Sequence, residues 1–204
     1  MAGIIRFIDS PPLEGAFNMA CDYGLAEISE VPIFRLYSWK HPTISLGYHQ
    51  KIEDIDLEKA LRDGVDVVRR PTGGRAILHW GELTYSFIYP LPSGQGKAAL
   101  KEIYARIHRA LAEGLNTYGA GVEFSAGKLS RTGHNPICFA STAGTELEIG
   151  GRKVVGSAQR LIGNTILQHG SILLSDAHLR LPEYLNIPAE GRELLARRLQ
   201  DTST

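Results

Sequence analysis

The stretch Arg69-Arg70-Pro71-Thr72-Gly73-Gly74-Arg75-Ala76-Ile77-Leu78-His79 constrains this chain more than any other. A β-branched run, Val65 to Val68, feeds into it and reads as a buried strand. Adjacent glycines let a backbone take positive φ and approach a ligand with no Cβ in the way. Successive amides in such a turn form a concavity for an anion or a carbonyl oxygen. Arginine alongside points to a polar or acidic group on that ligand. The segment reads as a small-molecule cradle at a strand end, closed by His79.

Around this cradle, strands come in runs and helices are few. Strands are expected at 4–8, 33–37, 43–47, 76–78, 83–89, 122–124 and 165–174. A hairpin is expected where Gly150-Gly151 joins 145–149 to 152–157. Helices are expected at 13–28, with Ala16, Phe17, Ala20, Cys21 and Leu25 near one apolar face, at 56–62 and at 97–118. Ser125 to Asn135 is polar and reads as an exposed loop. Without regular βαβ alternation the fold class is α+β, a mostly antiparallel or mixed sheet flanked by helices. At 204 residues, one domain is expected over 1–204, with a short helical segment at about 176–204 broken at Pro182 and Pro188. That length buries a core without disulfides or metals.

Charge and motif content narrow the function classes. Lys plus Arg number 22 and Asp plus Glu 22, with no basic block, which disfavours nucleic acid as a partner. No apolar run approaches the ~20 residues of a membrane span, and the N-terminus lacks a secretory layout. Cys21 and Cys138 lie far apart, so free thiols and a cytoplasmic location are expected. The histidines show no zinc spacing and no P-loop is present, so no metal is predicted.

Taken alone, Cys138 between Ile137 and Phe139 would be a packed residue, and Lys153 after Gly150-Gly151 a solvated one. Their context argues for a site: Cys138 follows a long polar loop, and Lys153 precedes the small residues Gly156-Ser157-Ala158. Strand alternation puts Lys153 on the face of Val155 and Arg152 on that of Val154, without saying which face is wet. His79 and His169 each end or interrupt an apolar strand, as core or as site histidines. Cys21 reads as packing.

Together, Phe17-Asn18-Met19-Ala20-Cys21-Asp22, Val68 to Ala76 with His79, Glu82 to Ser86, Gly151 to Arg160 and Leu167 to Ile172 resemble the lipoate-protein ligase and octanoyltransferase family. That family shares its catalytic domain with biotin protein ligases, which implies a biotin/lipoate protein ligase-like fold. The resemblance implies a slot for a medium-length acyl chain, lined by Arg70, Thr72, Gly73, Gly74, Arg75, Ala76 and His79. Gly156, Ser157 and Ala158 would form the opposite wall, with His169 and Gly170 beside it and Lys153 at the carboxyl end. Cys138, Arg75 and Gln159 resemble the octanoyltransferase branch, in which the cysteine takes the acyl group as a thioester and the lysine lowers its pKa.

The implied donor is octanoyl-acyl carrier protein. The implied acceptor is a lysine of a lipoyl domain, in glycine cleavage H protein or a 2-oxoacid dehydrogenase E2. Amide formation from a thioester is downhill, so no cofactor is expected. Tyr23 and Trp80 stand where relatives commonly carry acidic residues, and less sequence follows the last strand than in full-length transferases. Two alternatives stay open: an ATP-dependent lipoate or octanoate ligase, with Cys138 as packing, and a non-catalytic acyl-binding module.

Overall fold

A computed structural model describes residues 4–92, 98–125 and 146–203. Among the described residues ten strands form two sheets. The larger runs β1 (Arg6–Asp9), β2 (Ile33–Tyr37), β6 (Glu82–Pro90), β10 (Thr165–Leu173), β9 (Arg152–Ile162), β8 (Leu147–Ile149) and β7 (Glu123–Phe124) in spatial order. Only its β1–β2 pair is parallel. The smaller places β3 (Thr43–Leu46) between β4 (Asp66–Arg69), parallel to it, and β5 (Ile77–His79), antiparallel. The sheet is mixed, as the scarcity of βαβ units implies.

Local chemistry sets the boundaries. Gly150 and Gly151 both hold positive φ, the geometry of a two-residue primed turn, and they join β8 to β9. Asp56 caps α2 (Leu57–Arg62) by accepting from the Lys59 amide. Pro188 precedes α4 (Ala189–Thr202) at its N-cap, where a missing N–H costs nothing. Pro182 does not break the chain as expected: it lies inside a 3₁₀ helix, Asp176–Tyr184.

Two cores result. Leu147, Val155, Ile172 and Tyr85 on the large sheet pack with Ile107 and Ala112 of α3 (Ala98–Thr117). Ile44, Leu46 and Leu78 of the small sheet pack with Leu181, Tyr184 and Leu199. Helix α1 (Gly15–Ile28) packs against β4, β6 and β10, bridging the sheets. Its orientation corrects the expectation: Asn18, Met19, Asp22 and Ala26 are buried, whereas Ala16, Phe17 and Ala20 are exposed. The polar stripe points inward because Asn18 and Asp22 meet the buried guanidinium of Arg35 there.

Candidate active site

Between the sheets lies a nearly closed cavity of about 20 Å³, room for little more than one water molecule. Met19, Tyr37, Trp39 and Ile77 supply apolar walls. Gly156, Ser157 and Ala158 of β9, with His169, Gly170 and Ser171 of β10, supply a second wall. The register brings these segments together, pairing Gly156 with Ser171, Ser157 with Gly170 and Ala158 with His169. Close approach explains Gly170: a Cβ there would lie 2.6 Å from the Gly156 carbonyl and 2.8 Å from the Tyr85 ring.

Arg70 and His79 also line the cavity. Arg70 is 3% exposed, and its five N–H donors go to protein acceptors. Nε and Nη2 reach the Gly73 carbonyl at 3.1 and 2.8 Å, and Nη2 the Arg75 carbonyl at 2.6 Å. Nη1 reaches the Ser45 carbonyl and hydroxyl at 2.9 and 3.1 Å. Arg70 therefore shapes the glycine loop rather than presenting free donors to a ligand. Positive φ falls on Gly74 alone of the pair. A Cβ on Gly47, just after β3, would overlap the Gly74 carbonyl, so this contact needs glycine at 47, while Gly74 needs it for its positive φ. Ala76 is fully buried in the core of the small sheet, and Gly73 and Arg75 are half-buried.

Two carboxylate–imidazole–hydroxyl arrays border the cavity. In the first, Glu82 Oε1 accepts from His79 Nδ1 at 2.7 Å, Ser171 Oγ at 2.6 Å and Thr84 Oγ1 at 2.8 Å. His79 Nε2 then accepts from Ser45 Oγ at 2.7 Å, and Trp39 stacks on the imidazole at 4.0 Å. In the second, Asp22 Oδ2 accepts from His169 Nδ1 at 3.1 Å and from the Tyr37 hydroxyl at 2.8 Å. Its Oδ1 accepts from Arg35 and Ser86, each at 2.8 Å. His169 Nε2 reaches Thr72 Oγ1 at 2.5 Å. This ties the glycine loop to the large sheet and α1.

Burial shifts these groups. It pushes the His169 imidazole below its usual range against the pull of Asp22, so His169 is held neutral. Burial alone would raise Asp22, but the hydrogen bond from His169, the Arg35 charge and the hydrogen bond from Ser86 outweigh it and hold the carboxyl low. On the other face of β10, burial pushes the Tyr85 phenol up to about 12 against hydrogen bonds to Ser157 and Gln168.

Lys153, the second residue of β9, is 2% exposed, while Arg152 is exposed. That resolves which neighbour faces water. Lys153 Nζ donates to Glu146 Oε1 at 2.5 Å, and its backbone bridges to Ser203. Lys153 is not among the residues lining the cavity. Cys138 lies outside the described residues, as does most of the polar loop before it. Cys21 is a half-buried free thiol on α1.

Sequence reasoning missed Ser45, Trp39, Asp22, Arg35, Glu82 and Glu146 as site components. The available signal was a run of alternating polar residues, Glu82, Thr84 and Ser86, on a strand whose polar face is buried at 6%, 3% and 0% exposure.

The comparisons decide the family. The lipoyl protein ligase A/B catalytic domain matches residues 14–194. The chain belongs to this family. Its sequence is 42% identical over 174 residues to "Octanoyltransferase LipM" of Carboxydothermus hydrogenoformans, covering 83% of this chain and 64% of that protein. It is 41% identical to the Moorella thermoacetica protein of the same name, covering 94% of this chain and 74% of that one. The fold matches a bi-partite lipoate protein ligase from Thermoplasma acidophilum with a TM-score of 0.74 at 21% identity, over 98% of this chain and 73% of that chain. In this lipoyl protein ligase A/B domain Arg70 and His79 line the cavity together with the β9–β10 wall, whereas Thr72, Gly73, Gly74, Arg75 and Ala76 are not among its lining residues and the loop joins that wall through the Thr72–His169 hydrogen bond. No helix among the described residues is long and apolar enough to cross a membrane.

Proposed function

We propose that this domain catalyses octanoyl transfer in protein lipoylation, from octanoyl-acyl carrier protein, through a Cys138 thioester, to a lysine of a lipoyl domain. The observation that carries the reading is the cavity: apolar walls, small residues on β9, and a glycine loop locked by Arg70 at its side. The relatives named octanoyltransferases support it. In the first half-reaction the Cys138 thiolate attacks the thioester carbonyl, and the carrier leaves as its thiol. In the second, a lysine amine attacks the octanoyl-Cys138 carbonyl, the C–N bond forms, the C–S bond breaks, and the proton from nitrogen goes to the departing sulfur. No other co-reactant is consumed.

The roles can be apportioned. A thiol of pKa ~8.5 is about 3% thiolate at pH 7, and lowering it by ~2 units raises that to roughly 75%. Intrinsic nucleophilicity falls about 8-fold in return, leaving a net gain of only ~3-fold. Positioning of the thioester, worth effective molarities of ~10⁵ M or more, must dominate. Once the closed cavity widens to admit the acyl chain, about seven buried methylene or methyl groups at ~0.8 kcal/mol each make the slot the holder of that position. Thr72, His79, His169 and Gly170 act here by shaping the slot.

Intact mass spectrometry after mixing with octanoyl-acyl carrier protein tests the reading. The expected result is one added octanoyl group that hydroxylamine removes and that Cys138→Ala abolishes. An unmodified wild-type chain that instead loads a lipoyl domain with octanoate and ATP, unaffected by Cys138→Ala, establishes the ligase alternative.

A further inference from the structure

A second groove, separate from the slot, runs along the outer face of α1. Ala16, Met19, Ala20 and Tyr23 line it from the helix, Val67 to Pro71 from β4 and the loop after it, and Tyr48 and Arg160 complete it. Met19 and Arg70 line both this groove and the slot, so the two are separated by single side chains. The groove exists because α1 turns its polar stripe inward and leaves Ala16 and Ala20 outside.

Its charge is one-sided. Three arginines line it and no carboxylate does, in a chain with 22 acidic and 22 basic residues. Arg69 Nη1 holds the carbonyls of Gly47, Tyr48 and Gln50. Arg160 Nη1 holds the Pro71 carbonyl at 2.8 Å while its guanidinium lies over the Tyr48 ring at 4.0 Å. These bonds fix both guanidinium groups in place. Among the described residues, neither forms an ion pair with a carboxylate, whereas Arg35, Arg106 and Arg180 each do. The nearby acid, Glu27, is engaged by Tyr23. Oriented guanidinium groups beside tyrosines and small apolar residues suit a slender ligand carrying one anionic phosphate.

We infer that this groove seats the phosphopantetheine arm of the carrier protein, its phosphodiester on Arg160 and Arg69 and its thioester end directed past Met19 toward the slot. The inference rests on the carrier protein being the donor. It adds a binding site outside the acyl slot and assigns the phosphate as the group recognised there.

Calorimetric titration of the full chain with 4′-phosphopantetheine and with pantetheine tests it without turnover. The wild type is expected to bind the phosphorylated arm at least ~10-fold more tightly, the scale of a charge-assisted hydrogen bond. Arg160→Gln and Arg69→Gln should each lower that ratio, the double variant should bring it close to 1, and Arg160→Lys should retain part of it. A wild-type ratio near 1, undetectable binding of the phosphorylated arm, or a ratio untouched by both glutamine variants overturns the assignment. The acylation assay separates this from the function itself. Phosphate preference without octanoyl-Cys138 would sink the transferase and leave the groove, and octanoyl-Cys138 without phosphate preference would do the reverse.

Discussion

Asp22 accepts hydrogen bonds from four side chains while fully buried. Its partner Arg35 is 1% exposed, so removing the anion strands a cation in the interior. Asp22→Asn is expected to cost ~3–5 kcal/mol in urea unfolding. A cost below ~1 kcal/mol would mean that Arg35 is held by Asn18 and Ser10 alone. Neither residue announced this role in the sequence. An Asp on a helix and an Arg on a strand read as solvated until their elements are placed face to face. The Arg-x-x-Gly-Gly pattern was legible, but its arginine looked like a ligand contact because sequence does not reveal that the loop's own carbonyls consume its donors.

At the scale of elements, β3 and the glycine loop depend on each other. Gly47 packs on Gly74 with no room for a methyl group, and Arg70 pins the loop to Ser45. Gly47→Ala should push the loop away from position 47. Octanoyl-Cys138 formation is expected to slow by roughly 10²-fold, as for a ~1 Å misplacement. The stability cost should be only ~1–3 kcal/mol. Unchanged acylation kinetics would show that the loop's position does not matter to the reaction. Most element boundaries were readable because they rest on local signals, such as the Gly150-Gly151 turn and the Asp56 cap. The inward face of α1 was not, because an amphipathic pattern says which sides differ and not which one faces the core. Where the interior is a polar site, the usual assignment inverts.

For the whole molecule, buried polar groups make stability depend on pH. His169 and His178 are both pushed below their ordinary range by burial, so the unfolded chain binds those protons more readily. Stability should be full above pH ~6.5 and fall as the pH drops below that value toward the folded pKa values. Asp22, held low, adds a second loss as the pH falls below ~3.8. Urea midpoints at three pH values check this: the order should be pH 8 above 5.5 above 3.5, and a higher midpoint at 5.5 than at 8 would contradict it. The chain's own residues determined the α+β class, the glycine loop, the strand after Lys153 and the family, because turn chemistry, side-chain period and motif order are properties of adjacent residues. Only tertiary structure decided that Arg70 serves the loop, that Lys153 is buried on Glu146, and that Glu82, Thr84, Ser86 and Asp22 face inward. Those facts depend on which surfaces meet across two sheets, and burial and pairing energies exist only once they have met.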